Sequence, residues 1–180
     1  IITVPLDINH FEEAKTRLKN MPTYVGSMRG EEANEVGTLG EILVENFLTE
    51  NKINFKPKYT TLNDIEIKKY KFEIKTKDRK VPPMLNYDCS VPDYNFDHQI
   101  VNFYIFVSLL RDSQASKNSL EKFKLGYILG FCSRDHFKKN CIQATYDDSN
   151  NWAPTIPCKN IKVSQLFPIT SLNSNIVQFL

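Results

Sequence analysis

No apolar run in this 180-residue chain approaches the roughly 18 residues that a membrane-spanning helix needs. No cationic segment followed by an apolar stretch opens it, so no signal peptide is expected. Because it begins with Ile1 rather than Met, a trimmed or missing natural N-terminus is expected. The four cysteines, Cys89, Cys132, Cys141 and Cys158, form no CxxC pair and match no zinc spacing. The expectation is therefore reduced, mostly buried thiols in an intracellular compartment: the cytoplasm, or the host's cytoplasm for a phage-encoded chain. His10, His98 and His136 share no ligand spacing and read as surface or packing residues. Trp152, the sole tryptophan, reads as a packing residue in a Pro-flanked loop. There is no internal repeat, interdomain linker or low-complexity tract. Gly37 and Gly40 belong to a helical pattern rather than a phosphate-binding loop, and are expected to allow close packing.

What is present suits one soluble domain with a proper core, since 41% of residues are apolar and 24% charged. The net charge of +2 conceals a strong asymmetry. Residues 1–50 carry net −5, residues 51–80 net +6 and the remainder +1. A local positive field of this kind fits a polyanionic partner such as nucleic acid, and equally fits a solvated lysine-rich hairpin.

The apolar spacing predicts a helix over 8–20, with Phe11, Ala14 and Leu18 inward, ended by Met21-Pro22 and followed by a polar loop to about Gly30. A longer helix is predicted over 31–50, where Val36, Leu39, Leu43 and Phe47 make a core-facing stripe. Helical geometry places Glu41 at the border of that stripe, able to reach over a sheet edge, and turns Glu45 further toward solvent. Two short strands follow, over 63–68 and 71–77. An even-length turn pairs even positions of the first strand with odd positions of the second. The apolar pattern demands the same parity: Ile65, Ile67, Phe72 and Ile74 on one face, Asp64, Glu66, Glu73 and Lys75 on the other. Residues 78–97 read as an irregular loop near the site, open to a substrate-facing role, in which Tyr87 and Tyr94 are available to stack on unpaired bases. Residues 100–110 read as a central strand buried on both faces. A polar loop over 111–122, a strand over 125–131, a helix N-capped by Ser133 and running through Lys139, and a last strand at Ile161-Lys162-Val163 complete the reading. The fold class is α/β, a single domain over 1–180 with a mixed sheet: an N-terminal helix and loop over 1–30, a core over 31–140 and a peripheral segment over 141–180.

Three carboxylates and an amine on one hairpin face suit a divalent metal and a phosphodiester. Hydrolysis needs a metal to neutralise phosphate charge and activate water, oxygen ligands to hold it, and a cation to stabilise the transition state. Asp64, Glu73 and the Ile74 carbonyl can supply ligands. Lys75 lies two residues after Glu73 on the same face. An ammonium among carboxylates is favoured in its charged form, so orienting water and stabilising phosphate is preferred for Lys75 over a general-base role.

Asp64, eight intervening residues and Glu73-Ile74-Lys75, preceded by a helix bearing Glu41, resemble the PD-(D/E)XK nuclease superfamily, over roughly residues 31–140. Asn63 stands where the family's name has proline, a position that varies widely among its members. The resemblance implies a restriction-endonuclease-like fold, with a mixed central sheet flanked by helices. It implies an intracellular Mg²⁺-dependent deoxyribonuclease, with Mn²⁺ able to substitute, and an endonuclease in particular. Asp64 and Glu73 would be metal ligands, Lys75 the catalytic lysine and Glu41 an auxiliary ligand. Glu66 lies outside the core pattern, and Gln99 sits where some such nucleases place another polar residue. Lys56, Lys58, Lys77, Arg79 and Lys80 would hold DNA phosphates. A homodimer is a possible partner, because cutting both strands with one site per chain calls for two chains. The alternatives are an inactive nuclease-like module that binds DNA or protein, and a structural domain whose hairpin charges are merely solvated.

Overall fold

The computed structural model describes residues 1–19, 31–58, 60–112, 114–115, 119–145, 154–172 and 176–180. The expected helix end at Met21-Pro22, the loop to Gly30, and Trp152 lie outside the described residues. Helix α1 (Ile8–Lys19) is capped by Asp7, whose Oδ1 accepts the backbone N–H of Asn9 at 3.0 Å and of His10 at 3.2 Å. It buries Phe11 and Ala14. Helix α2 (Glu31–Glu50) buries the expected stripe Val36, Leu39, Leu43 and Phe47, and also Ile42, Val44 and Leu48. The wider buried face follows from two neighbours: the sheet covers one flank of α2 and α1 another.

The main sheet has six strands. In chain order they are β1 (Ile2–Pro5), β2 (Lys56–Pro57), β3 (Ile65–Ile67), β4 (Tyr70–Arg79), β6 (Phe103–Arg111) and β7 (Phe123–Ser133). Between β4 and β6 lie β5 (Asp88–Pro92) and helix α3 (Asp93–His98). Spatial order is β1-β7-β6-β4-β3-β2, and the sheet is mixed: β4 and β6 run parallel and the other pairs antiparallel. After β7 come helix α4 (Arg134–Asn140), β8 (Ile142–Gln143) and β9 (Cys158–Lys162). Strands β5, β9 and β8 form a second, antiparallel sheet. The architecture is thus α/β, a mixed sheet flanked by helices. Among the described residues no helix is long and apolar enough to cross a membrane.

The hairpin register follows the apolar parity. Ile65 pairs with Phe72 and Ile67 with Tyr70, leaving Lys68-Lys69 as a two-residue turn with Lys68 at φ 57°. Ile65, Ile67, Phe72 and Ile74 are buried with Phe103 and Ile105 against the α1–α2 layer. On the opposite face, Tyr104, Phe106, Cys132 and Phe137 pack with Val91 and Ile161 of the small sheet. Burying a large apolar side chain contributes about 1.5–3 kcal/mol, so both layers hold the sheet in place. Strand β6 is buried from Phe103 through Leu109, as expected of a central strand. Ser133 caps α4 by accepting the His136 N–H at 3.2 Å.

Several expectations need correction. Residues 78–97 are not an irregular loop: β4 continues to Arg79, then β5 and most of α3 occupy the segment, because β5 finds a partner in β9 far along the chain. The N-terminal segment holds a strand, β1, paired with β7. The C-terminal segment is not peripheral, since Ile169, Leu172 and Ile176 are buried in the α-side core. Lys122 ends the polar loop but is buried, with Nζ 2.9 Å from Glu35 Oε2. Gly40 allows close packing as expected, because a Cβ there would sit 1.8 Å from Thr76 Oγ1. Gly37 does not, because a Cβ there would meet nothing within 4 Å.

Candidate active site

The carboxylates gather where β3 ends and β4 runs on. Asp64 continues the ladder with its N–H, donated to the Phe72 carbonyl at 3.0 Å. Its side chain then turns onto β4, where Oδ2 accepts the Ile74 N–H at 2.6 Å. Within a strand the N–H and C=O of one residue point the same way, so the Ile74 carbonyl opens on this edge too. Asn63 is buried and its side-chain amide donates to the Ile65 carbonyl at 3.2 Å, which tightens the turn into Asp64.

Glu73 is buried at 6% exposure, and its two oxygens differ. Oε1 accepts the Lys75 ammonium at 2.7 Å and the Gln99 Nε2 at 2.9 Å. Oε2 is buried with no hydrogen-bond partner among the described residues. Gln99, also buried, donates to the Thr61 carbonyl at 3.0 Å as well, and its Oε1 lies 3.5 Å from Lys75 Nζ. Gln99 therefore ties the segment before β3 to the carboxylate and to the lysine.

Burial pushes the Asp64 carboxyl well above the usual carboxylate range, and the charges of Glu73 and Glu41 push the same way. The Ile74 N–H and Lys75 oppose them. Glu41, half-buried on α2, is pushed up to about 7, first by burial and then by the charge of Glu45, with Arg17 opposing and Glu73 adding. Glu41, Asp64, Glu73 and Lys75 are thus brought into one electrostatic unit that is short of positive charge. Glu45 is not turned to solvent: it is buried beneath α1, where Arg17 grips it with two hydrogen bonds, of 3.1 and 2.7 Å. Glu66 stands apart, ion-paired with Lys58 at 3.1 Å.

The donor set is all oxygen, which suits Mg²⁺ or Mn²⁺. The partnerless Glu73 Oε2 and the raised carboxyls of Asp64 and Glu41 fit a divalent cation. Among the described residues no group of three or more His, Cys, Asp or Glu side chains forms a ready-made metal cage. Mg²⁺ does not require one, since it commonly keeps several waters and takes only one or two carboxylates. Asp64 and Glu73 would be those two, with the Ile74 carbonyl beside them and Glu41 reaching the ion through water.

The basic residues divide. Lys77 and Arg79 continue the Lys75 face of β4 and line a cavity of about 380 Å³. Lys56 and Lys58 are exposed on and just after β2, and Lys80 is exposed beyond β4. Asp97 and His98 are exposed. His10 bonds to Asp7, and His136 lies 2.9 Å from the Gln165 carbonyl, so these two histidines serve structure. The thiols are free; Cys89, Cys132 and Cys158 are buried and Cys141 partly so, and burial raises Cys89 to about 12. Arg17 was not anticipated at the site, because its contact with Glu45 depends on how two helices pack and leaves no local signal. No protein-family model matches the chain, and no curated protein does either.

Proposed function

We propose that this chain is a Mg²⁺-dependent deoxyribonuclease of the PD-(D/E)XK type, an endonuclease with a restriction-endonuclease-like core. The observation that carries this reading is the buried Glu73, held by Lys75 and Gln99 through one oxygen and left without a partner at the other, beside Asp64 and Glu41. An acidic pocket this poor in positive charge is costly unless a cation completes it.

With a divalent ion bound, the site would gain charge neutralisation at the phosphate and an activated water. The protein's own part is positional. Asp64 is fixed by the Ile74 N–H, and Glu73 is fixed by Gln99. Lys75 is anchored on Glu73 and Gln99 with its third ammonium proton available to a phosphate oxygen, where it stabilises charge growing in the transition state. Lys77 and Arg79, further along the same face, would hold flanking phosphates.

The test is plasmid cleavage with Mg²⁺ or Mn²⁺. Wild type should nick or linearise the plasmid, and Glu73→Ala and Lys75→Ala should each lose about 100-fold or more, the usual cost of removing a transition-state donor or a ligand. Absence of metal-dependent cutting of supercoiled, linear and single-stranded DNA alike would replace this reading with an inactive nuclease-like binding module.

A further inference from the structure

The cavity beside the carboxylates is not needed to hold a metal or a scissile phosphate. Lys75, Lys77 and Arg79 alternate along one face of β4 and form one of its walls. They are spaced about 6–7 Å apart, two residues of strand at a time, a step comparable to that between neighbouring phosphates of an extended nucleic-acid strand. Phe106 of β6 lies beside Lys75 in the strand register and is buried in the floor, and the exposed Tyr94 of α3 also lines the cavity. Among the described residues of the lining the one carboxylate is Asp88, ion-paired with Lys162 at 2.7 Å, so this lining carries an excess of positive charge. Arg79 is held in place: its Nε donates to Ser108 Oγ at 3.0 Å, its Nη2 to the Asp88 carbonyl at 2.5 Å, and its guanidinium lies 5.0 Å from the centre of the Tyr87 ring. The volume, about 380 Å³, falls within the range of small-ligand sites.

A recess lined by a row of cations and an exposed tyrosine matches both halves of a nucleotide, its phosphate and its base. A base within a duplex is paired and stacked and must leave the stack before it can enter such a recess. We propose that this cavity receives one unpaired nucleotide of a DNA strand, phosphate toward Lys77 and Arg79 and base against Tyr94. The preferred substrate is then DNA with a single-stranded segment, such as an end, flap or bubble, rather than continuous duplex. This rests on the nuclease reading above and deepens it by naming the substrate class.

Binding is measured without cleavage, by fluorescence anisotropy of a short labelled single strand and of the blunt duplex of the same sequence, in EDTA. The single strand should bind about tenfold tighter than the duplex, a difference one stacked base can supply. Tyr94 is 58% exposed, so Tyr94→Ala should fold normally. It should weaken the single strand about fivefold or more and leave the duplex unchanged. Lys77→Met should lower the salt dependence of single-strand binding by about one phosphate contact. Equal or tighter binding of the duplex overturns the proposal. So does unaltered single-strand binding by both variants when their melting temperatures match wild type. A chain that cuts plasmid yet shows either result loses the nucleotide recess alone. A chain that binds single strands as expected yet cuts nothing loses the nuclease reading alone.

Discussion

Glu41→Gln removes one carboxylate from a crowded acidic site and keeps its shape. In the metal-free fold, burial and then the charge of Glu45 lift Glu41 from 4.5 to about 7. The folded chain therefore holds a proton that the unfolded chain releases, and the sign follows from linkage. The associated stability is fully present below about pH 4.5 and is lost as pH rises through about 7. At about 1.4 kcal/mol per pH unit, the interval from 4.5 to about 7 corresponds to about 3 kcal/mol. Gln cannot ionise, so the variant escapes this loss. A domain of this size shifts about 2–4 °C per kcal/mol, so Glu41→Gln should melt about 6–12 °C above wild type near pH 8 in EDTA. Near pH 4.5 the two should melt together. Thermal unfolding across that range, followed by circular dichroism, provides the comparison. A variant that melts below wild type at the alkaline end, or by the same difference at both ends, refutes the electrostatic account of the site. Added Mn²⁺ should raise the melting temperature of wild type more than that of the variant, because only wild type has the full set of carboxylates to neutralise.

Three other substitutions follow. Gly40→Ala should destabilise by about 1–3 kcal/mol in urea unfolding, because the new methyl would overlap Thr76 Oγ1 at 1.8 Å and α2 would have to lift from β4. Gln99→Leu should lower Mn²⁺ affinity by about 10–100-fold in calorimetry, because Glu73 loses the amide that orients it. Arg17→Met should cost about 3 kcal/mol in urea unfolding, because it removes the guanidinium that grips the buried Glu45 carboxylate under α1.

The parts of the site legible from residues alone were those fixed by local periodicity. Alternating Ile65, Ile67, Phe72 and Ile74 demanded one parity, and parity placed Asp64, Glu73 and Lys75 on the far face whatever the register. The 3.6-residue stripe of α2 placed Glu41 at the sheet's edge, and the serine at 133 announced a helix start. What stayed hidden was set by contacts distant in sequence. Glu45 is buried because Arg17, 28 positions earlier, folds over it. Strand β5 exists because β9 pairs with it, and its five residues between prolines carry too little pattern to stand out. Strand β1 is four residues long, and half-buried Ile2 and Val4 alternating with exposed Thr3 and Pro5 make only two periods, too short a run to stand out in the sequence. Gln99, just after α3, is singled out only by the resemblance, and its contacts with Glu73 and Thr61 depend on the return of the chain.

The most direct test of a divalent cation at this site is a crystal structure of the protein soaked with Mn²⁺, read from its anomalous scattering. A peak should lie between Asp64 and Glu73, about 2.1–2.2 Å from an oxygen of each, with Glu73 Oε2 now partnered. An empty site at saturating Mn²⁺, with Glu73 still held only by Lys75 and Gln99, would contradict it.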